Sequence, residues 1–158
     1  MMEQFDPCEV CAKCGGECCM RYPGAFFPQD IPGGVTIASI VTFVKDGKAC
    51  FDWWEGDPRD GISYDDKDYM GRAYFLRPRV VGSEDDDFDP TWGGRCVHHT
   101  DCGCELSREE MPTGCKALEP KESLQCEDHS GAKRGVVMAW LEYRAEVSGA
   151  AGLLRAAR

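Results

Sequence analysis

The sequence predicts a small, loop-rich α+β domain, and three observations carry that reading. The chain has 158 residues, enough for one domain with a modest core. Eighteen glycines and nine prolines break it into short segments. Between those breaks lie two kinds of apolar pattern, one with the helical period and one that alternates as strands do. No internal repeat and no domain boundary is visible. Residues 1–148 therefore read as a single domain, and 149–158 as a C-terminal tail without a clear seam, expected to fray.

The elements follow in order. Residues 1–34 show no period and read as loop, with Tyr22-Pro23-Gly24, Pro28, Pro32, Gly33 and Gly34 setting turns. Ile37, Ile40, Val41 and Val44 fall at i, i+3, i+4 and i+7, which predicts a helix over 36–46, with Gly47 in the place of a C-terminal glycine. Lys48 to Trp54 reads as a strand with Ala49, Phe51 and Trp53 on one face. Residues 55–71 are an acidic loop. Ala73 to Val81 is a second strand, which Pro78 confines to an edge or ends early, and the two strands predict a short hairpin. The run Glu84 to Asp89 lacks the spacing of a calcium loop and reads as a solvated acidic loop. Ser107 and Glu110 form a capping box that opens a short helix, stopped by Pro112. Over 132–147, Val136, Val137, Trp140, Leu141, Arg144 and Val147 mark the inner face of an amphipathic helix, with Lys133, Arg134 and Glu142 outside.

Charge and composition exclude several functions. A net charge of −10 and a pI near 4.7 argue against nucleic-acid binding, which needs a basic face. Arg72, Arg77 and Arg79 are expected to pair with nearby acids. No apolar run approaches the ~20 residues of a membrane span; Val35 to Val44 is the longest, and Thr36, Ser39 and Thr42 interrupt it. The segment Met1 to Asp6 has neither the basic nor the apolar part of a secretory signal. A cytoplasmic protein is expected, with no membrane or nucleic-acid partner. No protein partner is specified.

Eleven cysteines are the strongest chemical statement in the chain. Five of them lie between Cys8 and Cys19, spaced C-x2-C-x2-C-x3-C-C. Gaps of two and three residues let neighbouring thiolates chelate one metal ion or one iron–sulfur cluster. In the absence of export, disulfides do not persist, which favours metal over a disulfide framework. Cys11 and Cys14 form the tight chelate, and Gly15-Gly16 frees the backbone to curl around it. Cys18 and Cys19 are adjacent and point in different directions, so one sulfur each for two sites, or one on a cluster and one packed, are both open. Cys96, Cys104 and Cys115 are too far apart to chelate alone, and such ligands normally complete a site begun by a tight pair. The two halves of the chain are thus expected to meet at the metal. The expected ligands are Cys11, Cys14, Cys18, Cys19, Cys96, Cys104 and Cys115, with Cys126 next.

The run Cys11-Ala-Lys-Cys14-Gly-Gly-Glu-Cys18-Cys19, with Gly94-Arg-Cys96, Gly103-Cys104 and Met111-Pro112-Thr-Gly-Cys115-Lys116, resembles the cysteine-cluster proteins described as a zinc- or iron-chelating domain. That family places a proline shortly before its last cysteine, as Pro112 stands here. Its common form has two residues before the paired cysteines, where this chain has Gly15-Gly16-Glu17. Cys8, Cys50, Cys102 and Cys126 lie outside its basic pattern. The resemblance, over roughly Cys11 to Cys126, implies metal chelation. The family includes a flagellar-protein lysine methylase, so an iron–sulfur enzyme or enzyme component acting by methyl transfer on protein is the second expectation. A redox or metal-stress switch using Cys8, Cys102 and Cys126 is the third.

All-thiolate ligation suits Zn2+ and a [4Fe-4S] cluster alike. Cys8 to Cys18 comes close to a ferredoxin run, but Cys19 stands where the ferredoxin proline belongs. The stability of closed thiolate sites tips the balance slightly to zinc. His98 and His99 read as surface residues or supporters of ligands, and Cys126-x2-His129 as a possible chelate pair. Cys50 reads as a buried apolar residue, and Trp53, Trp54, Trp92 and Trp140 as packing. Cys102 between His99 and Glu105 lacks a third positioned group, so no catalytic site is expected.

Overall fold

A computed structural model describes residues 24–59, 71–89, 94–100, 103–107, 109–116, 118–119, 127–128 and 132–157. The run from Cys8 to Cys19, and Cys102, Cys126, His129 and Trp92, lie outside the described residues. The chain is a small α+β fold, as its patterning predicts.

The first helix, α1, spans Ile37–Lys45. Thr36 caps it through a reciprocal pair: Ser39 N–H donates to Thr36 Oγ1 (3.0 Å), and Thr36 N–H donates to Ser39 Oγ (2.8 Å). Gly47 closes it with φ of 78°, a left-handed conformation that favours glycine. Ile40 and Val44 are fully buried. Strand β1 (Cys50–Glu55) pairs antiparallel with β2 (Arg72–Arg77), from Cys50 opposite Arg77 to Glu55 opposite Arg72. Pro78 follows β2 directly and ends it.

Both edges of this hairpin are extended by single rungs. Phe26 N–H donates to Leu76 O (2.9 Å) beside β2. Beside β1, Phe51 N–H donates to Asp87 O (2.7 Å) and Asp89 N–H donates to Phe51 O (2.9 Å). The acidic run expected to be a solvated loop is therefore partly structural. Phe88 stacks on Phe51 at 5.1 Å, and Asp89 is buried. A solvated reading missed this because the apolar anchor is a single residue among acids.

Helix α3 (Ala132–Trp140) packs on both strands, a 3-10 turn (Leu141–Tyr143) bends the chain, and α4 (Arg144–Ala156) packs on α1 and β2. A four-residue helix, α2 (Thr113–Lys116), precedes them. Val136, Val137, Trp140 and Val147 are buried as the periodicity predicts. Lys133 is not outside: its ammonium lies 3.6 Å from the buried Asp52 carboxylate. From 149 on, the chain continues α4 to Ala156 and buries Ala150, Ala151 and Leu154. Gly149 lies against the end of the Ile37 side chain of α1, where a Cβ would stand 2.8 Å from Ile37 Cδ1. Trp140 donates its indole N–H to Phe26 O (2.9 Å), joining segments 114 residues apart.

The arginines pair with acids as expected, at very different depths. Arg77 is buried and bonds Asp52 (3.0 Å) and Asp89 (3.1 Å), with its remaining donors on carbonyls of Pro78 and Asp89. Arg79 donates to Val44 O at the end of α1 (2.7 Å) and pairs with Asp87 (3.2 Å). Arg72 lies near Glu55 at 3.7 Å on the surface. Among the described residues, no helix is long and apolar enough to cross a membrane.

Candidate metal centre

The described cysteines other than Cys50 occupy two places. The first is a small hairpin, β3 (His99–Thr100) and β4 (Gly103–Cys104), with His99 opposite Cys104. Beyond Pro78 the chain leads into it: Val81 N–H donates to Arg95 O (2.8 Å) and Val97 N–H to Arg79 O (3.0 Å), which sets Cys96 opposite Val80. Cys96 is 5% exposed, and its sulfur lies near the backbone N–H of His98. Burial pushes its thiol up to about 11, and the neighbouring Cys104 adds to the rise while the His98 N–H opposes it. The wide Cys96-x7-Cys104 gap is thus closed by hairpin pairing, with Cys104 half-buried.

His98 holds Glu105 through Nδ1 (2.8 Å), which leaves Nε2 as its other ring nitrogen. His99 Nδ1 accepts from Arg95 Nε (3.0 Å). Both histidines are engaged at the rim of the hairpin. Glu105, which the sequence placed beside Cys102 and His99, is instead the partner of His98. Its position immediately after Cys104 in an antiparallel pair is the signal that could have found it.

The second place is α2, where Cys115 lies against Gly24 and Ala25. Gly114 N–H donates to Ala25 O (2.9 Å), and the Cys115 thiol donates to Gly24 O (3.6 Å), a contact that requires the proton. A Cβ on Gly24 would stand 2.4 Å from Cys115 Sγ and 2.7 Å from Cys115 N. Only glycine leaves this seat open. Asp30 clamps the arrangement: its carboxylate accepts from Phe27 N (2.8 Å), Thr113 N (2.8 Å) and Thr113 Oγ1 (2.7 Å). The capping box at Ser107 and Glu110 forms both of its hydrogen bonds (3.0 and 3.3 Å), yet residues 109–110 are a turn, and the helix starts after Pro112 instead of stopping there. Asp30 at the N-terminus of α2 supplies what the local sequence does not.

Gly24 lies five positions after Cys19, so α2 seats Cys115 on the segment that directly follows the cysteine run. Cys50 stands apart: fully buried in β1, it faces the carbonyls of Arg77 and Pro78. Among the described residues, no three of His, Cys, Asp or Glu converge to hold a metal ion. Cys96 and Cys104, brought near each other, are donors of the type a thiophilic metal takes. No family model matches this chain, and no curated protein or solved structure matches it significantly.

Proposed function

We propose that this chain is a metal-binding protein of the cysteine-cluster kind. In this reading Cys96, Cys104 and Cys115 are joined by Cys11, Cys14, Cys18 and Cys19, with Cys126 beside them, around Zn2+. The observation that carries it is Cys96: a buried sulfur that the hairpin brings near Cys104, beside the His98 backbone N–H. Cys115 supports it, seated a few residues from the N-terminal run. We place the protein in the cytoplasm, where a reducing environment keeps cysteines available to metal.

Metal analysis of protein purified without oxygen tests the reading. At least one equivalent per folded chain is expected, and less than one overturns it. The near-ferredoxin spacing of Cys8, Cys11, Cys14 and Cys18 favours a second reading, an iron–sulfur enzyme or enzyme component. A brown preparation with broad visible absorption and bound iron selects that reading; a colourless zinc protein selects the first.

A further inference from the structure

One carboxylate ties the segment that follows the cysteine run to the helix that carries Cys115, over a separation of 83 residues. Asp30 Oδ2 accepts from two amides, Phe27 N (2.8 Å) and Thr113 N (2.8 Å), and its Oδ1 accepts the Thr113 hydroxyl (2.7 Å). The same side chain thus caps the 3-10 turn Pro28–Asp30 and satisfies the first N–H of α2. A carboxylate suits both tasks because both of its oxygens accept.

The joint is close-packed from both sides. Gly114 N–H donates to Ala25 O (2.9 Å), and a Cβ on Gly114 would stand 2.5 Å from Ala25 O and 2.6 Å from Ala25 N. Gly24 answers it across the contact, where a Cβ would enter Cys115. Glycine on each side lets the two backbones meet at Cys115. Segment 24–30 is itself fixed to the core by Phe26 N–H on Leu76 O and by the Trp140 indole N–H on Phe26 O, both at 2.9 Å. That frame reaches Cys115 through Thr113, two residues before it. A ligand held on a fixed frame returns to its metal before the ion escapes; one on a loosened turn must be ordered again each time.

We infer that Asp30 is a positioning residue of the metal centre, acting through Thr113 on Cys115, a role that rests on the metal-binding reading above. In this role Asp30 touches no metal. It sets how long the ion stays, not which ion is taken.

The test is release of the metal from full-length protein, as purified without oxygen, to the chromophoric chelator pyridylazoresorcinol. Asp30→Ala should release it about tenfold or more faster than wild type, as loss of a partner that orients a ligand does. Thr113→Val, which keeps the amide bond and loses the hydroxyl, should fall between, and Thr113→Ser, which keeps both donors, should match wild type. Val147→Ala, on the buried face of α4, should lower the melting temperature with release unchanged. Brief iodoacetamide treatment with peptide mapping should find Cys115 alkylated about tenfold faster in Asp30→Ala, with Cys96 changed far less. Release from folded Asp30→Ala at the wild-type rate overturns the inference and leaves metal binding standing. Equally fast release from Val147→Ala at an equal or smaller loss of melting temperature, or equal gains at Cys96 and Cys115, makes Asp30 a residue of the fold only and overturns it too. Where Asp30→Ala does not fold, release from Thr113→Val at the Thr113→Ser rate overturns it. Wild type without metal overturns the metal-binding reading, and this role with it.

Discussion

Cys50 and Cys96 are both buried, and burial pushes both thiols up to about 11, yet their surroundings differ in kind. Cys50 lies beside β2, where its S–H has carbonyl oxygens of Arg77 and Pro78 to donate to, at 3.7 and 4.0 Å. The Arg77–Asp52–Asp89 network closes the region around it. Cys96 instead has Cys104 and the backbone N–H of His98 for neighbours. Burial alone does not separate a structural cysteine from a ligand.

Four experiments would break or sharpen this contrast. Stripping metal with a chelator under reducing conditions should have the largest effect, lowering the melting temperature by more than about 10 °C, since structural thiolate sites contribute on the order of 10 kcal/mol. In the same experiment Cys96→Ser should lose metal and Cys50→Ala should keep it; equal metal content in the two would erase the distinction. Next, Arg77→Ala removes the buried guanidinium that Asp52 and Asp89 share, and should cost about 3–5 kcal/mol in urea unfolding with metal retained. Arg72→Ala at the surface should cost under about 1 kcal/mol.

Gly24→Ala places a methyl group against Cys115 Sγ and backbone, so a loss of about 2 kcal/mol and weaker metal retention are expected. Gly152→Ala, with nothing within 4 Å of its Cβ, should leave stability the same or higher. The smallest effect is a pH dependence. Above its ordinary value of 9.0 Cys50 ionises in the unfolded chain, while the folded chain holds it neutral until about 11. Its contribution is therefore complete below pH 9 and is lost as pH rises toward 11, up to about 2 kcal/mol. Urea titrations from pH 8 to 11 should show a shallower alkaline decline in Cys50→Ala.

Much of the fold was legible where a period or a cap is written locally. Ile37, Ile40, Val41 and Val44 specify α1, and Thr36 with Ser39 begins it. Alternation specifies the β1–β2 hairpin, and Pro78 its end. The parts that were not legible depend on partners far along the chain. Lys133 turns inward because Asp52 is buried opposite it. Phe88 makes an acidic run structural because Phe51 offers an edge. The last helix continues to Ala156 because α1 and β2 cover its small residues, not because of any seam of its own. The site divides the same way. Spacing exposed the cysteines as a group, but a C-x7-C gap does not say that Cys96 and Cys104 meet across a hairpin, and Gly24 reads as a turn until Cys115 is seen against it.

The long reach of Trp140 to Phe26 and of Thr113 to Asp30 has a consequence for how the chain is made. Segment 24–30 and its partners are separated by 83 to 114 residues. At a synthesis rate of roughly 5–20 residues per second, Phe26 leaves the ribosome about 5–20 s before Trp140 exists to hold it. For the first part of that interval the five leading thiols are already translated while Cys96, Cys104 and Cys115 are not. On the proposed reading, a nascent chain must keep its first cysteines reduced and free of the wrong metal until Cys115 has been made.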